Sequence, residues 1–278
     1  MNDVLGTSMD WPVSTVAVGV TDATANQLLH GARNEPLQWA SVTKLLTAMA
    51  TLVAIEEQTV SFDDKVGPPG STLRHLLAHA SGLSTDSKEI ICPPGMRRIY
   101  SNIGIEILAD HVGKKAEMPF AHYLSQAVLE PLEMSSTRLG GSPASGALGT
   151  IDDLLKLGTE LLRPTIISPS TLAGATSVAF AGLAGVLPGF GEQTPNDWGL
   201  GFEIRSNKSP HWTGHSNSEN TFGHFGRAGG FLWVDPDVGL ACACLSDQPF
   251  GPWATRSWPT FSDAVLQSWN EAGRTISS

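Results

Sequence analysis

Hydrophobic and polar positions follow a strand-like pattern at both ends of this 278-residue chain and a helical one between them. Residues 13–20, Val-Ser-Thr-Val-Ala-Val-Gly-Val, are rich in β-branched side chains and predict a strand. A turn near Thr21 and Asp22 and a second short strand over 27–30 complete an antiparallel pair. From about Val42 to Glu57 the chain is apolar on nearly every face, which predicts a central, buried helix. Further helices are predicted over 72–80, 102–112, 120–129 (stopped by Pro131) and 150–162, the last capped by Thr150 with Asp152 and Asp153 in its first turn. Residues 140–149 read as a small-residue loop, and 172–196, rich in Gly and Ala with two prolines, as loops or a partly mobile cover. Strands return at 199–205, 231–234 and 240–245, with Asp235-Pro236-Asp237 as a hairpin turn, and 258–271 reads as a terminal helix.

This order predicts an α/β (α+β) fold. An antiparallel β-sheet flanked by helices is built from both termini, with an all-helical lobe inserted between its halves. Residues 1–65 and 196–278 would form the sheet lobe and 66–195 the helical lobe. The cleft between them is the expected place for an active site.

Composition narrows the function. With 41% hydrophobic and 16% charged residues the chain has the balance of a globular protein. A net charge of −10 argues against a nucleic-acid footprint. The N-terminus shows no positive region followed by an apolar run, and the longest apolar stretch, 45–55, is too short to span a bilayer. The expectation is a cytoplasmic protein with no membrane partner. Of three cysteines, Cys242 and Cys244 fall on one side of a strand as small buried hydrophobes, and only Cys92 remains, too few thiols for a disulfide framework or a metal or redox set.

Three short clusters carry reactive groups. Ser41 and Lys44, three apart at the mouth of the apolar helix, share one face, so a hydroxyl and an amine can act as nucleophile and base. The base role needs a neutral amine, which burial or a neighbouring cation would favour. Tyr100-Ser101-Asn102 adds a phenol and an amide just before another helix. A tyrosinate at Tyr100 could relay a proton between Ser41 and a leaving group, while Asn102 orients Lys44 and holds a substrate carbonyl. Residues 223–230, Gly-His-Phe-Gly-Arg-Ala-Gly-Gly, would let a strand approach a ligand closely, with His224 facing the cleft.

The order Ser41-x-x-Lys44, Tyr100-x-Asn102, His224-x-Gly226 resembles the serine β-lactamase and penicillin-binding-protein superfamily, in its branch of class C β-lactamase-like esterases and D-Ala-D-Ala carboxypeptidases. His75-Leu-Leu-Ala-His79-Ala-Ser-Gly-Leu83, Pro131-Leu132-Glu133-Met134 and Asp152-Asp153-Leu154-Leu155 add to the likeness. The resemblance implies an acyl-enzyme on Ser41, with Lys44 and Tyr100 handling its proton. It also implies an oxyanion hole made by the backbone N–H groups of Ser41 and Arg227, and no metal or organic cofactor. His224-Phe225-Gly226 replaces the Lys-Thr-Gly of many β-lactamases, so a lysine and a threonine that would hold an acidic substrate carboxylate are missing. This shifts the expectation from a lactam drug toward small carboxylic esters. A D-amino-acid peptidase or amidase, an acyltransferase and a weak β-lactamase share the same site. Trp212 and Phe225 are expected to reach the cleft and favour an apolar acyl group.

Three rival readings have less support in the sequence. An α/β-hydrolase elbow would need Gly-x-Ser-x-Gly, and Gly140-Gly141-Ser142-Pro143-Ala144 lacks the last glycine. His75 with His79, and His211 with His215, have metal-ligand spacing, but His75 has no adjacent glutamate and Trp212-Thr213-Gly214 is a poor helix. The first pair then packs or caps within the helical lobe, and 211–219 forms a polar loop rimming the cleft. A catalytically silent binding or sensor domain would show neither turnover nor covalent labelling of Ser41.

Overall fold

The computed structural model describes residues 1–273 and Ile276. Its helices are α1 (Asn2–Gly6), α2 (Thr43–Glu56), α3 (Leu73–Leu77), α4 (Asn102–Lys115), α5 (Phe120–Leu124), α6 (Ile151–Leu162), α7 (Pro169–Ala175) and α8 (Pro252–Glu271). Its strands are β1 (Val16–Asp22), β2 (Gln27–Gly31), β3 (Leu37–Gln38), β4 (Arg138–Leu139), β5 (Ala147–Gly149), β6 (Gly185–Leu187), β7 (Gly191–Gln193), β8 (Glu203–Ile204), β9 (Phe222–Gly226), β10 (Gly230–Asp235) and β11 (Leu240–Ser246).

The main sheet has the order β2-β1-β11-β10-β9-β8, so strands from both ends of the chain meet at its centre. Each neighbouring pair is antiparallel, and Val16 pairs with Ser246. Period-two alternation sorts the side chains between two cores. Val16, Val18, Val20, Phe231, Trp233, Cys242 and Cys244 face Trp258, Phe261, Val265 and Leu266 of α8. Ala17, Leu232, Val234, Ala241, Ala243 and Leu245 join α2 and α6 on the other side. Cys242 and Cys244 are thus free, buried thiols on one face, as the strand period requires. Helix α6 lies within residues 66–195 in sequence yet packs on the sheet: a Cβ on Gly158 would meet Ala241 at 3.1 Å, and one on Gly19 would meet Leu155 at 2.6 Å.

Helix α2 is buried from Thr43 to Ala54. Burying each of Leu45, Leu46 and Leu52 contributes about 2 kcal/mol, and with water excluded on every side the helix is a rigid base for the residues at its first turn. No helix among the described residues is long and apolar enough to cross a membrane.

Several boundaries differ from the sequence reading, each for a local reason. The first strand begins at Val16 because the N–H groups of Ser14 and Thr15 donate to the Asp247 carboxylate instead of a ladder. Residues 140–149 end in β5, which pairs with β3 and β4, and 172–196 hold the β6–β7 hairpin. Strands of two or three residues leave no period to read. Within 199–205 only Glu203–Ile204 pairs. The predicted helix over 120–129 changes at Ser125 into a wider π-type turn. The 150–162 helix is capped as expected, Thr150 Oγ1 accepting from Asp153 N–H.

Candidate active site

Ser41 lies in a short 3₁₀ turn, Ala40–Val42, that feeds into α2. Ala40 has φ of +44°, a left-handed backbone that costs a non-glycine residue about 1 kcal/mol. The bend aims Ser41 into a cavity of about 1090 Å³ whose walls include Tyr100, Asn102, His224, Phe225 and Arg227.

Lys44 comes from the first turn of α2 and is 1% exposed. Its Nζ donates to Asn102 Oδ1 at 2.7 Å and to the Ala144 carbonyl at 2.8 Å, and stands 3.2 Å from Ser41 Oγ. Burial lowers its pKa to about 7, with Asp86 and Glu106 offsetting part of that fall. A neutral amine has two N–H bonds and one lone pair. With both N–H bonds occupied, the lone pair is left for the Ser41 hydroxyl.

Tyr100 donates its phenol to Ser41 Oγ at 2.7 Å. Burial pushes that phenol well above its usual range. This direction favours a resting Tyr100 that is protonated and donates to Ser41 over a resting tyrosinate. The ring is packed by His79 (centroids 4.8 Å apart), Trp198 (5.9 Å) and His224 (5.8 Å).

Strand β9 closes the other side. Gly226 is required by contact: a Cβ there would run into the Trp39 carbonyl and come within 3.2 Å of Ser41 N. Among the described residues, the backbone N–H groups of Ser41 and Arg227 make no hydrogen bond. Two free N–H donors flanking one serine have the make-up of an oxyanion hole. His224 is buried, and its Nδ1 lies 2.6 Å from the Phe225 carbonyl, which fixes the proton on Nδ1. Burial lowers its pKa to about 3, so it stands neutral at the cleft wall.

The sequence-predicted residues Ser41, Lys44, Tyr100, Asn102, His224, Phe225, Gly226 and Arg227 thus come together. Trp212 does not. Its indole N–H donates to Glu203 at 2.9 Å and its ring packs on Phe231 in the core beneath the sheet. His211 is likewise buried against the Glu203 carboxylate at 2.9 Å, so this end of 211–219 folds into the interior instead of rimming the cleft. His75 caps α3 with Thr72, and His79 Nδ1 accepts the Ser101 N–H at 3.2 Å. Among the described residues no group of three His, Cys, Asp or Glu side chains is placed to hold a metal.

Several supports were not read from the sequence. Asp86 accepts the Asn102 amide N–H at 2.7 Å and so fixes which end of that amide meets Lys44. Glu106 accepts the Ser142 hydroxyl, which in turn accepts Ala144 N–H and holds the Ala144 carbonyl over Lys44. Arg98 is buried and donates to the carbonyls of Ala78, Asn196, Ala179 and Phe180, tying three segments behind Tyr100. The tyrosine and its neighbours carry a local spacing; these partners are joined to it only through the fold.

The comparisons agree with the fold. Among solved structures, a β-lactamase from Mycobacterium bovis is 50% identical, with a TM-score of 0.94 over 96% of this chain and 99% of that one. EstCE1, described as a hydrolase with promiscuous acyltransferase activity, is 16% identical with a TM-score of 0.78 over 95% of this chain and 97% of that one, a likeness of fold alone. Penicillin-binding protein 4* of Bacillus subtilis is 28% identical over 139 residues, 38% of this chain and 31% of that protein, so the match spans about a third of that relative's length. The Beta-lactamase family profile matches residues 7–267. With the fold, the cleft and a match over most of its length in accord, the chain belongs to the Beta-lactamase family of serine hydrolases.

Proposed function

We propose that the protein is an acyl-enzyme-forming esterase acting on small carboxylic esters with an apolar acyl group. The observation that carries this reading is the placing of Ser41 Oγ between a donor, Tyr100 at 2.7 Å, and an amine whose other contacts are filled, Lys44 at 3.2 Å. Lys44 accepts the Ser41 proton as Oγ attacks the ester carbon. The N–H groups of Ser41 and Arg227 hold the oxyanion. As the tetrahedral adduct collapses, the C–O bond to the alcohol breaks, and the alkoxide takes a proton from Tyr100, which is replenished from Lys44. Water then attacks the acyl-enzyme by the reverse route and releases the carboxylic acid and free Ser41.

The choice of ester rests on the cleft walls. His224 is neutral, so the place of the missing lysine offers no cation to a substrate carboxylate. Leu187, Pro188, Phe225, Pro249 and Phe250 make an apolar surface beside Ser41. The 50% identical protein described as a β-lactamase favours a second reading, lactam hydrolysis at the same serine.

Intact-mass detection of the acyl adduct across p-nitrophenyl esters, a chromogenic lactam and a D-Ala-D-Ala peptide separates these readings. Ester adducts and turnover that vanish in Ser41→Ala support the esterase. Turnover of the lactam alone overturns it in favour of the second reading, and turnover that survives Ser41→Ala overturns the mechanism.

A further inference from the structure

The cavity is larger than a short ester fills. At about 1090 Å³ it stands at the upper end of the range that holds a drug-sized ligand. Its apolar wall also runs on past Ser41. Gly226 lies against Ser41 N, and Phe225 precedes it on β9. The Phe225 ring packs on Phe250, with centroids 4.9 Å apart. Phe250 in turn covers Gly189, where a Cβ would meet the ring at 2.6 Å. Gly189 is in the turn of the β6–β7 hairpin, and Pro188, Leu187 and Val186 lead back from it along β6. Phe225, Phe250, Gly189, Pro188, Leu187 and Val186 all line the cavity.

Exposure rises along this strip. Phe225 and Leu187 are buried, Phe250 is half-buried, and Pro188 and Val186 are exposed, Val186 by 50%. A lone exposed apolar side chain is ordinary. Val186 differs because it continues the wall of a reactive cleft and is held rigidly there. Arg98 ties both ends of its segment: the backbone N–H donates to the Ala184 carbonyl at 2.9 Å, and Nε donates to the Asn196 carbonyl at 3.0 Å. A Cβ on Gly185 would run into the Arg98 carbonyl, so β6 lies flush against the chain that leads to Tyr100. Leu187 and Phe190 anchor the hairpin in the core, Phe190 edge-on to Phe225. The alternation of β6 then holds Val186 at the mouth of the cleft. Residues 185–190 and 249–250 include no charged side chain, and Glu192, opposite Val186 in the hairpin, is off the cavity wall.

We propose that the strip from Phe225 through Phe250 to Pro188 and Val186 is a subsite for a medium-length acyl chain. The reactive end of the chain lies at Ser41 and its tail leaves the cleft over β6. The proposal rests on the acyl-enzyme reading above and names its substrate class: esters of medium-chain fatty acids, in preference to those of acetate or butyrate. A surface that is already rigid loses little freedom when a chain is laid on it, so each covered methylene adds to binding. The strip itself makes and breaks no bond.

The test follows kcat/KM for p-nitrophenyl acetate, butyrate, hexanoate, octanoate and decanoate, each below its micelle-forming concentration. In the parent it should rise about twofold per methylene, the share of a half-covered chain. In a Val186→Ser, Pro188→Ser double variant the gain from hexanoate to decanoate should fall from about fifteenfold to about threefold, while the gain from acetate to butyrate stays that of the parent. Val186→Leu should keep the full gain. The same profile in parent and double variant, or no gain with length in either, overturns the subsite and leaves the esterase reading standing. Isothermal titration of decanoate and butyrate into Ser41→Ala, with and without the two serines, reads the strip in the absence of turnover. A preference for decanoate that the serines remove supports the subsite, and equal affinities overturn it. Loss of all ester turnover, which would sink the esterase reading, therefore still leaves the subsite decided. Sedimentation checks the other occupant: a dimer of the parent that the double variant disperses would assign the strip to a second copy of the chain and overturn the proposal.

Discussion

Asn102 Oδ1 sits 2.7 Å from Lys44 Nζ, and this contact controls where the amine's lone pair points. Lys44 is held at about pH 7 by burial, so it is a protonated ammonium below that pH and a base above it. The kcat/KM profile should therefore rise with pH through about 7. Asn102→Asp would put a carboxylate where the amide oxygen is, favour the ammonium, and move the rising limb upward by about one to three pH units. A stopped-flow pH profile of both proteins checks this, and an unshifted limb would remove Lys44 as the base.

Tyr100→Phe deletes the one phenol that donates to Ser41 and leaves the ring packed among His79, Trp198 and His224. We expect kcat to fall about 10²- to 10⁴-fold, the range for losing a proton-transfer group. The melting temperature should stay within a few degrees, because the ring keeps its packing and only the hydroxyl is lost. Equal kcat in the two proteins would take Tyr100 out of the reaction.

Trp212→Ala should cost about 3–5 kcal/mol of stability, since it empties a large side chain from the core and strips one donor from Glu203. Its preference between short and long acyl esters should match that of the parent, because Trp212 is absent from the cleft wall. Urea titration and a chain-length series measure the two effects separately.

Glu203 is buried, which raises its carboxyl, but His211 and Lys208 outweigh that and hold it below its ordinary 4.5. A depressed carboxylate contributes stability that is complete above about pH 4.5 and is lost as pH falls through the folded value. Glu203→Gln should lower stability at pH 7 by about 3–5 kcal/mol, since the Lys208 ammonium is left buried without its anion. Its urea midpoint should also fall less steeply than that of the parent on acidification below pH 4.5.

The parts of the site that sequence revealed are those with local geometry. Ser41 and Lys44 are one helical turn apart, Tyr100 and Asn102 flank the N-cap Ser101, and Gly226 answers a close backbone contact; each leaves a spacing in the chain. Asp86 and Ala144 reach the amine and its amide from segments with no pattern of their own, so only the folded chain joins them. Trp212 misled for the opposite reason. It is close to His224 in sequence, but the Glu203 carboxylate holds its indole in the core, where it packs on Phe225 instead of reaching the cleft wall. The family resemblance expected from three clusters is confirmed by the Beta-lactamase match over residues 7–267.

The pairing of Val16 with Ser246 also sets the order in which this protein can be made. During synthesis β1 must wait until every other strand of the sheet has been made before its central partner exists. Contacts of such sequence separation fold slowly. β9, which carries His224 and Gly226, is fastened to β11 only through β10, so its place beside Ser41 depends on the strand of this sheet that is made last. A nascent chain holds Ser41 and Lys44 together at the mouth of α2 long before it can hold them against β9, and the cleft is closed only with the completed sheet.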